Sequence, residues 1–218
     1  MDNFMFTSYQ TNTGTFVKVI DITTMQPFNI TTPIVSICNT NINVLGLGLT
    51  LNFNKNKHAA TLKILRNFEN VIVQNKNQIT SVWNIPKDCD VVVETFQPKQ
   101  NDYETTCKFP VNLAYCNDTC GCNLTDENGT KINDFGILLP HNILSQNSYI
   151  KCVLECDNIG MSLKPTGIDN KLLCSLYVNW KIVNVIVKQP KLIKYTPISL
   201  SKDEFEFFQN IPEPIITL

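Results

Sequence analysis

The chain has almost no arginine. Arg66 is the single one among 18 basic residues, the rest being lysine. Arginine's planar fork grips phosphate and guanine edges in two places at once, so its near-absence weighs against base reading of that kind. Histidine is almost as scarce, with only His58 and His141. His58 sits in the polar turn NKNKHAAT and His141 follows Pro140, so both read as surface-loop residues. A cupin-like metal site needs several imidazoles with a carboxylate, and this sequence supplies no such cluster. Charge is sparse at 17% of residues, with a net charge of −1. That balance creates no global field toward nucleic acid or an anionic membrane, and no direct nucleic-acid contact is expected. Long apolar runs are missing as well. No window approaches the ~18 residues that would mark a membrane-spanning helix. The opening MDNFMFTSYQTNTGT lacks both a basic and an apolar signal region, so a soluble protein made in the cytoplasm is expected.

Alternating hydrophobicity fills that space. Leu45, Leu47, Leu49, Leu51 and Phe53 occupy every second position of LGLGLTLNF, separated by Gly46, Gly48, Thr50 and Asn52. A period of two is a strand with one apolar and one small or polar face. Similar runs are Thr15–Ile22, Pro33–Cys38, Thr61–Phe68, Asn70–Gln74, Ile79–Ile85, Cys89–Phe96, Phe135–Leu139, Tyr149–Cys156 and Lys171–Val187. Asn, Asp, Gly and Pro clusters bound them, which predicts an antiparallel all-β sandwich or barrel forming a single domain over 1–218. One helix is well signalled, Ser201–Gln209, where Ser201 and Glu204 have capping-box spacing. The stretch 97–134 is rich in Asn, Thr and Cys and reads as an insertion or set of long loops. The stretch 188–218 reads as an extended tail broken by Pro190, Pro197, Pro212 and Pro214.

The nine cysteines are odd in number, so a fully paired disulfide framework within one chain is excluded. Cys89, Cys152, Cys156 and Cys174 fall in phase with apolar neighbours and read as inert core residues. Cys107, Cys116, Cys120 and Cys122 are the sharper group. They are weak zinc candidates, because a C-x-C pair fits poorly to two separated knuckles; disulfides or reduced thiols are the alternatives. A Cys–His nucleophile would need a base beside one of these thiols, which no spacing indicates. Gly46-x-Gly48 lies inside a strand and leads into no helix, so close packing explains it better than phosphate binding. Asp88, Asp90, Asp126 and Glu127 are turn acids; calcium near Asp126 lacks EF-hand spacing. The four N-x-Ser/Thr sites at Asn29, Asn117, Asn123 and Asn128 are what so Asn-rich a composition gives by chance. No enzyme and no cofactor are expected.

The opening MDNFMFTSYQTNTGTFVKVIDITT, the strand NINVLGLGLTLNF and the Asn/Lys/Ile bias resemble the minor virion proteins of Sputnik-type virophages over the full chain. The resemblance implies a single jelly-roll capsid domain of eight strands in two facing sheets. It further implies a homopentamer, or penton, at each five-fold vertex of an icosahedral double-stranded DNA virophage made in the cytoplasm of a host amoeba. Its neighbours in the virion would be trimers of a double jelly-roll major capsid protein. Phe4, Met5, Phe6 and Tyr9, together with the C-terminal tail, would then be arms that grip neighbours, and acid-triggered vertex opening would rest on carboxylates of 203–213. The alternative is a jelly-roll attachment module binding host glycans. Against it, Trp83 and Trp180 both lie within apolar strand runs.

Overall fold

The computed structural model describes residues 4–43, 46–86, 89–94, 106–113, 115–116, 119–132, 144–165 and 172–187. Among these, 61% are strand and 17% helix, which bears out the all-β class. The chain begins with an antiparallel hairpin of β1 (Phe4–Thr11) and β2 (Gly14–Asp21). Its turn closes on Gly14 at φ 144°, a conformation in which a side chain would be strained. Short strands β3 (Gln26–Pro27) and β4 (Asn29–Thr31) lead into β5 (Val35–Asn43) and β6 (Gly46–Asn54). The alternation expected for β6 holds: Leu47, Leu49, Leu51 and Phe53 are all buried.

The next segment departs from expectation. Thr61–Phe68 and Asn70–Gln74 read as strands, yet Ala59–Gln74 is one helix, α1, and Ile79–Ile85 begins within α2 (Lys76–Thr80), followed by a single tight turn at Ser81–Trp83. The buried residues Leu62, Leu65, Phe68 and Ile72 recur every three or four positions, a helical stripe that a period of two cuts across. End signals were also missing: no side chain caps α1, and no acid lies in its first turn. His58 serves instead by accepting the Asn54 N–H on Nδ1 at 3.0 Å, which anchors the helix start to the end of β6.

Beyond α2 come β7 (Asp90–Glu94), β8 (Thr106–Leu113), β9 (Tyr115–Cys116), β10 (Thr119–Cys120) and β11 (Asn123–Thr125). β8 lies within the stretch read as an insertion, yet it is a core strand, with Cys107, Phe109, Val111 and Leu113 buried in alternation. Two long strands, β12 (Tyr149–Pro165) and β13 (Leu172–Val187), complete the sheet. Phe135–Leu139, the tail 188–218 and its helix Ser201–Gln209 lie outside the described residues.

Five of these strands close on themselves. β5 pairs β6, β6 pairs β8, β8 meets β13 at Asn112–Lys181, β13 pairs β12, and β12 returns to β5 at Ile150–Val35 and Tyr149–Ser36. Every seam is antiparallel except β8–β13. Apart from the short β9–β10 ribbon, the described strands therefore form one sheet rolled into a five-stranded barrel, where the jelly-roll expectation required two facing sheets. β2 and β4 extend it along β12, and β7 and β11 run parallel to β13 on its other edge.

The core is continuous from the barrel interior to the helix. Phe68 of α1 stacks on Phe28 at 4.2 Å between ring centres and meets Trp180 edge-on at 5.5 Å. Phe109 reaches both Trp180 (5.6 Å) and Phe53 (6.0 Å). Each such ring contributes about 2–3 kcal/mol by leaving water, with aromatic pairing adding about 1 kcal/mol. Phe4, expected on a free arm, instead packs edge-on against Phe28 at 5.3 Å and Phe68 at 5.5 Å. The N-terminal residues thus belong to the fold of their own chain.

Candidate functional site

Most of the cysteines whose side chains are described are buried in or packed against the core. Cys107 is buried, in register with Phe53, and Cys122 packs half-buried against the core. Cys116 and Cys120 lie on the β9–β10 ribbon, where Cys116 pairs with Thr119 and Cys120 with Tyr115. Among the described residues no group of three or more His, Cys, Asp or Glu side chains is placed to hold a metal ion. Cys152, Cys156 and Cys174 are buried, as their phase predicted, whereas Cys89, read the same way, is only partly buried against the core. Burial pushes the Cys152 thiol up to about 11, with the Thr32 hydroxyl pulling weakly the other way. Burial pushes Cys156 further still, helped by Asp157 and Glu155. Neutral, enclosed thiols are poor nucleophiles. Asp126 is also structural: its Oδ1 accepts the Asn128 and Thr130 N–H groups at 2.9 and 2.8 Å, closing its own turn. Trp180 is buried, and Trp83 donates its Nε1–H to the Thr15 carbonyl at 3.0 Å, so both tryptophans are engaged in the fold.

A different constellation appears on the outer face of β1, β2, β12 and β13. Val17 and Val19 of β2 are buried, so the alternate residues Phe16 and Lys18 face outward. Tyr9 stands opposite Phe16 in the β1–β2 register, and their rings lie 6.0 Å apart, tilted by 33°. Lys18 Nζ sits 5.3 Å from the Tyr9 ring centre, within cation–π range. The pairing of Val17 with Ile159 brings the neighbouring Gly160 alongside Phe16. Across the other edge, Gly160 pairs with Tyr177 of β13. A Cβ at Gly160 would stand 2.5 Å from Tyr177 Cζ, so the Tyr177 ring lies flat over the bare backbone. Tyr9, Phe16 and Tyr177, all partly exposed, thus form a strip of three rings along one surface.

Polar groups hold this strip in place. Tyr9 hydrogen-bonds the Asn158 side chain; burial raises its hydroxyl above the ordinary tyrosine value, and Asp157 adds to that rise. Asn158 Nδ2 donates to Asp157 Oδ2 at 2.8 Å, and Asn179 Nδ2 donates to Asn158 Oδ1 at 2.7 Å. Next along β13, Lys181 Nζ lies 2.8 Å from Glu155 and 3.1 Å from Asp157. Burial draws the Lys181 ammonium down, but the hydrogen bonds to Glu155 and Asp157 outweigh it and carry the group above the usual lysine range. From Lys181 the surface passes to Asn112, its partner on β8. It then continues over Pro110 and Lys108, which alternate with the buried residues of β8, to Thr50 and Asn52 of β6. The result is a polar face ending in an aromatic strip. Alternation in TFVKVID could have flagged Phe16 and Lys18 as outward, but the meeting of Tyr9, Phe16 and Tyr177 depends on long-range strand pairing.

No protein-family model matches the chain, and no curated protein matches it. Solved structures do. The single-stranded DNA-binding protein gp2.5 of bacteriophage T7 is 11% identical, covers 86% of this chain and 96% of its own, and superposes with a TM-score of 0.44. The single-stranded DNA-binding protein of bacteriophage Enc34 is 10% identical, with coverage of 94% and 99% and a TM-score of 0.46. The Enc34 protein in complex with single-stranded DNA gives 11%, 88%, 98% and 0.43. These findings overturn the capsid reading. The similar solved structures are phage DNA-binding proteins, so the penton function, the homopentamer and major-capsid partners, and the glycan-binding virion module are withdrawn. The expected lack of nucleic-acid contact falls with them. That expectation rested on the net charge of −1, the scarcity of arginine and the absence of any Lys or Arg before Lys18.

Proposed function

We propose that the chain binds single-stranded nucleic acid, with successive bases stacking on Tyr9, Phe16 and Tyr177. The strip of three partly exposed rings carries the reading. Each base offers a π-face, so aligned rings on a rigid sheet accept a strand with little regard to sequence, whereas a duplex hides those faces. Lys18 above Tyr9 and Lys108 on the adjoining barrel face supply cations for the backbone. The five-stranded barrel below agrees with it, since barrels of the OB type present an outer strand face to oligonucleotides.

Fluorescence anisotropy with a labelled single-stranded oligonucleotide tests the proposal. Removal of one stacking ring costs about 1–3 kcal/mol, which is roughly 5- to 150-fold in Kd. The Tyr9→Ala, Phe16→Ala and Tyr177→Ala variants are each expected to lose binding on that scale while retaining the parent's circular dichroism. Unchanged affinity in the triple variant, or tighter binding of the parent to duplex than to single strand, would overturn the reading.

A further inference from the structure

Lys181 occupies the middle of the proposed binding face, between Tyr177 and Asn112, where a strand leaving the aromatic strip would pass. It is nevertheless poorly placed to receive phosphate. Glu155 faces it across the β12–β13 pair at 2.8 Å. The register shift between Cys156 and Asn158 leaves Asp157 as an extra residue in the strand, and Asp157 delivers a second carboxylate at 3.1 Å. Asp157 is itself held by Asn158, which Asn179 holds in turn, so the second carboxylate is fixed in place. One ammonium between two carboxylates carries a net charge of about −1, which repels a phosphate. With Lys181 engaged, Lys18 and Lys108 still present cations here, and the exposed Lys151 and Lys164 share the outward phase of β12.

We infer that Glu155 and Asp157 withhold Lys181 from the nucleic-acid backbone, so that this face selects its ligand by its bases and not by its charge. The inference rests on the single-strand reading above and adds a specificity device to it. For single strands, each phosphate neutralised contributes a slope of about −0.7 to log K against log salt. Releasing Lys181 therefore adds one such increment, which amounts to about fivefold between 1 M and 0.1 M salt.

The experiment measures Kd for one single-stranded oligonucleotide across that salt range in four proteins: the parent, Lys181→Gln, the Glu155→Gln/Asp157→Asn pair, and all three changes together. All substitutions are near-isosteric, and thermal melts monitor folding. The expected result is that Lys181→Gln binds no more tightly than the parent, since two carboxylates are left uncovered, and keeps the parent's salt slope. The paired variant should bind more tightly at low salt with a slope steeper by about 0.7, and the triple variant should return to the parent slope. The inference is overturned if Lys181→Gln alone makes the slope shallower, because Lys181 would then already contact phosphate. It is also overturned if the paired variant shows no steeper slope, or if its gain survives in the triple variant as a general field effect. Absence of any binding by the parent would instead remove the single-strand reading itself.

Discussion

Gly160→Ala is the smallest change that tests the aromatic strip. The added Cβ would stand 2.5, 2.6 and 2.7 Å from Cζ, Cε2 and the hydroxyl oxygen of Tyr177. Ordinary carbon contacts begin near ~3.5 Å, so the ring must withdraw by about 1 Å or rotate off the strand. Overpacking of this kind costs about 1–3 kcal/mol. Against it, alanine loses less backbone freedom on folding than glycine, a gain of about 0.5–1 kcal/mol within a strand. The net expectation is a destabilisation of about 1 kcal/mol, read as a lower denaturation midpoint at unchanged slope. In a Tyr177→Ala background the clash has no partner, and the sign reverses: Gly160→Ala should then stabilise by about 0.5 kcal/mol. A double-mutant cycle by urea denaturation gives the coupling directly. Equal effects in both backgrounds would show that Tyr177 does not lie over Gly160, and the strip would lose its β13 end. Oligonucleotide binding should weaken in Gly160→Ala alongside, because the displaced ring no longer aligns with Phe16.

Two further outcomes concern the fold. Phe68→Ala removes the ring shared by Phe4, Phe28 and Trp180, and an unfolding cost of about 3–5 kcal/mol is expected by chemical denaturation; a cost below about 1 kcal/mol would mean that α1 does not pack there. Cys152 gives a pH signature: its thiol is raised from 9.0 to about 11, so its stabilising contribution is whole below pH 9 and is lost as pH climbs toward 11. At about 1.4 kcal/mol per unit the loss approaches 3 kcal/mol. Thermal melts from pH 8 to pH 11 should fall more steeply for the parent than for Cys152→Ala.

Strands were legible where one face is buried and the other is not. LGLGLTLNF, TFVKVIDI and YIKCVLEC announced β6, β2 and the start of β12 because their alternation is a direct record of burial. β8 carries the same record in TCKFPVNL, but Pro110 and the surrounding Asn and Thr drew it into a loop reading. Helix α1 was missed for a different reason. Its apolar residues are dense enough to satisfy either period over short windows, and the polar side chains that mark helix ends are absent. The strip was out of reach for a third reason: Tyr9, Phe16 and Tyr177 are spread over nearly the whole chain, and no local pattern relates residue 9 to residue 177. The cysteine cluster drew notice because short spacings are visible in sequence, whereas pairing register is not.

β13 has a consequence for how the protein is made. Its full length pairs with β12, and its other edge serves β7, β8 and β11 in turn. It is also the last strand among the described residues. A nascent chain that has released β5, β6 and β8 therefore holds a three-stranded sheet with both edges open: the β5 edge waits for the start of β12, and the β8 edge waits for β13. Open edges recruit strands from other chains. Truncation within β13 should thus yield aggregation and not a smaller barrel, which pelleting assays on truncated chains would check.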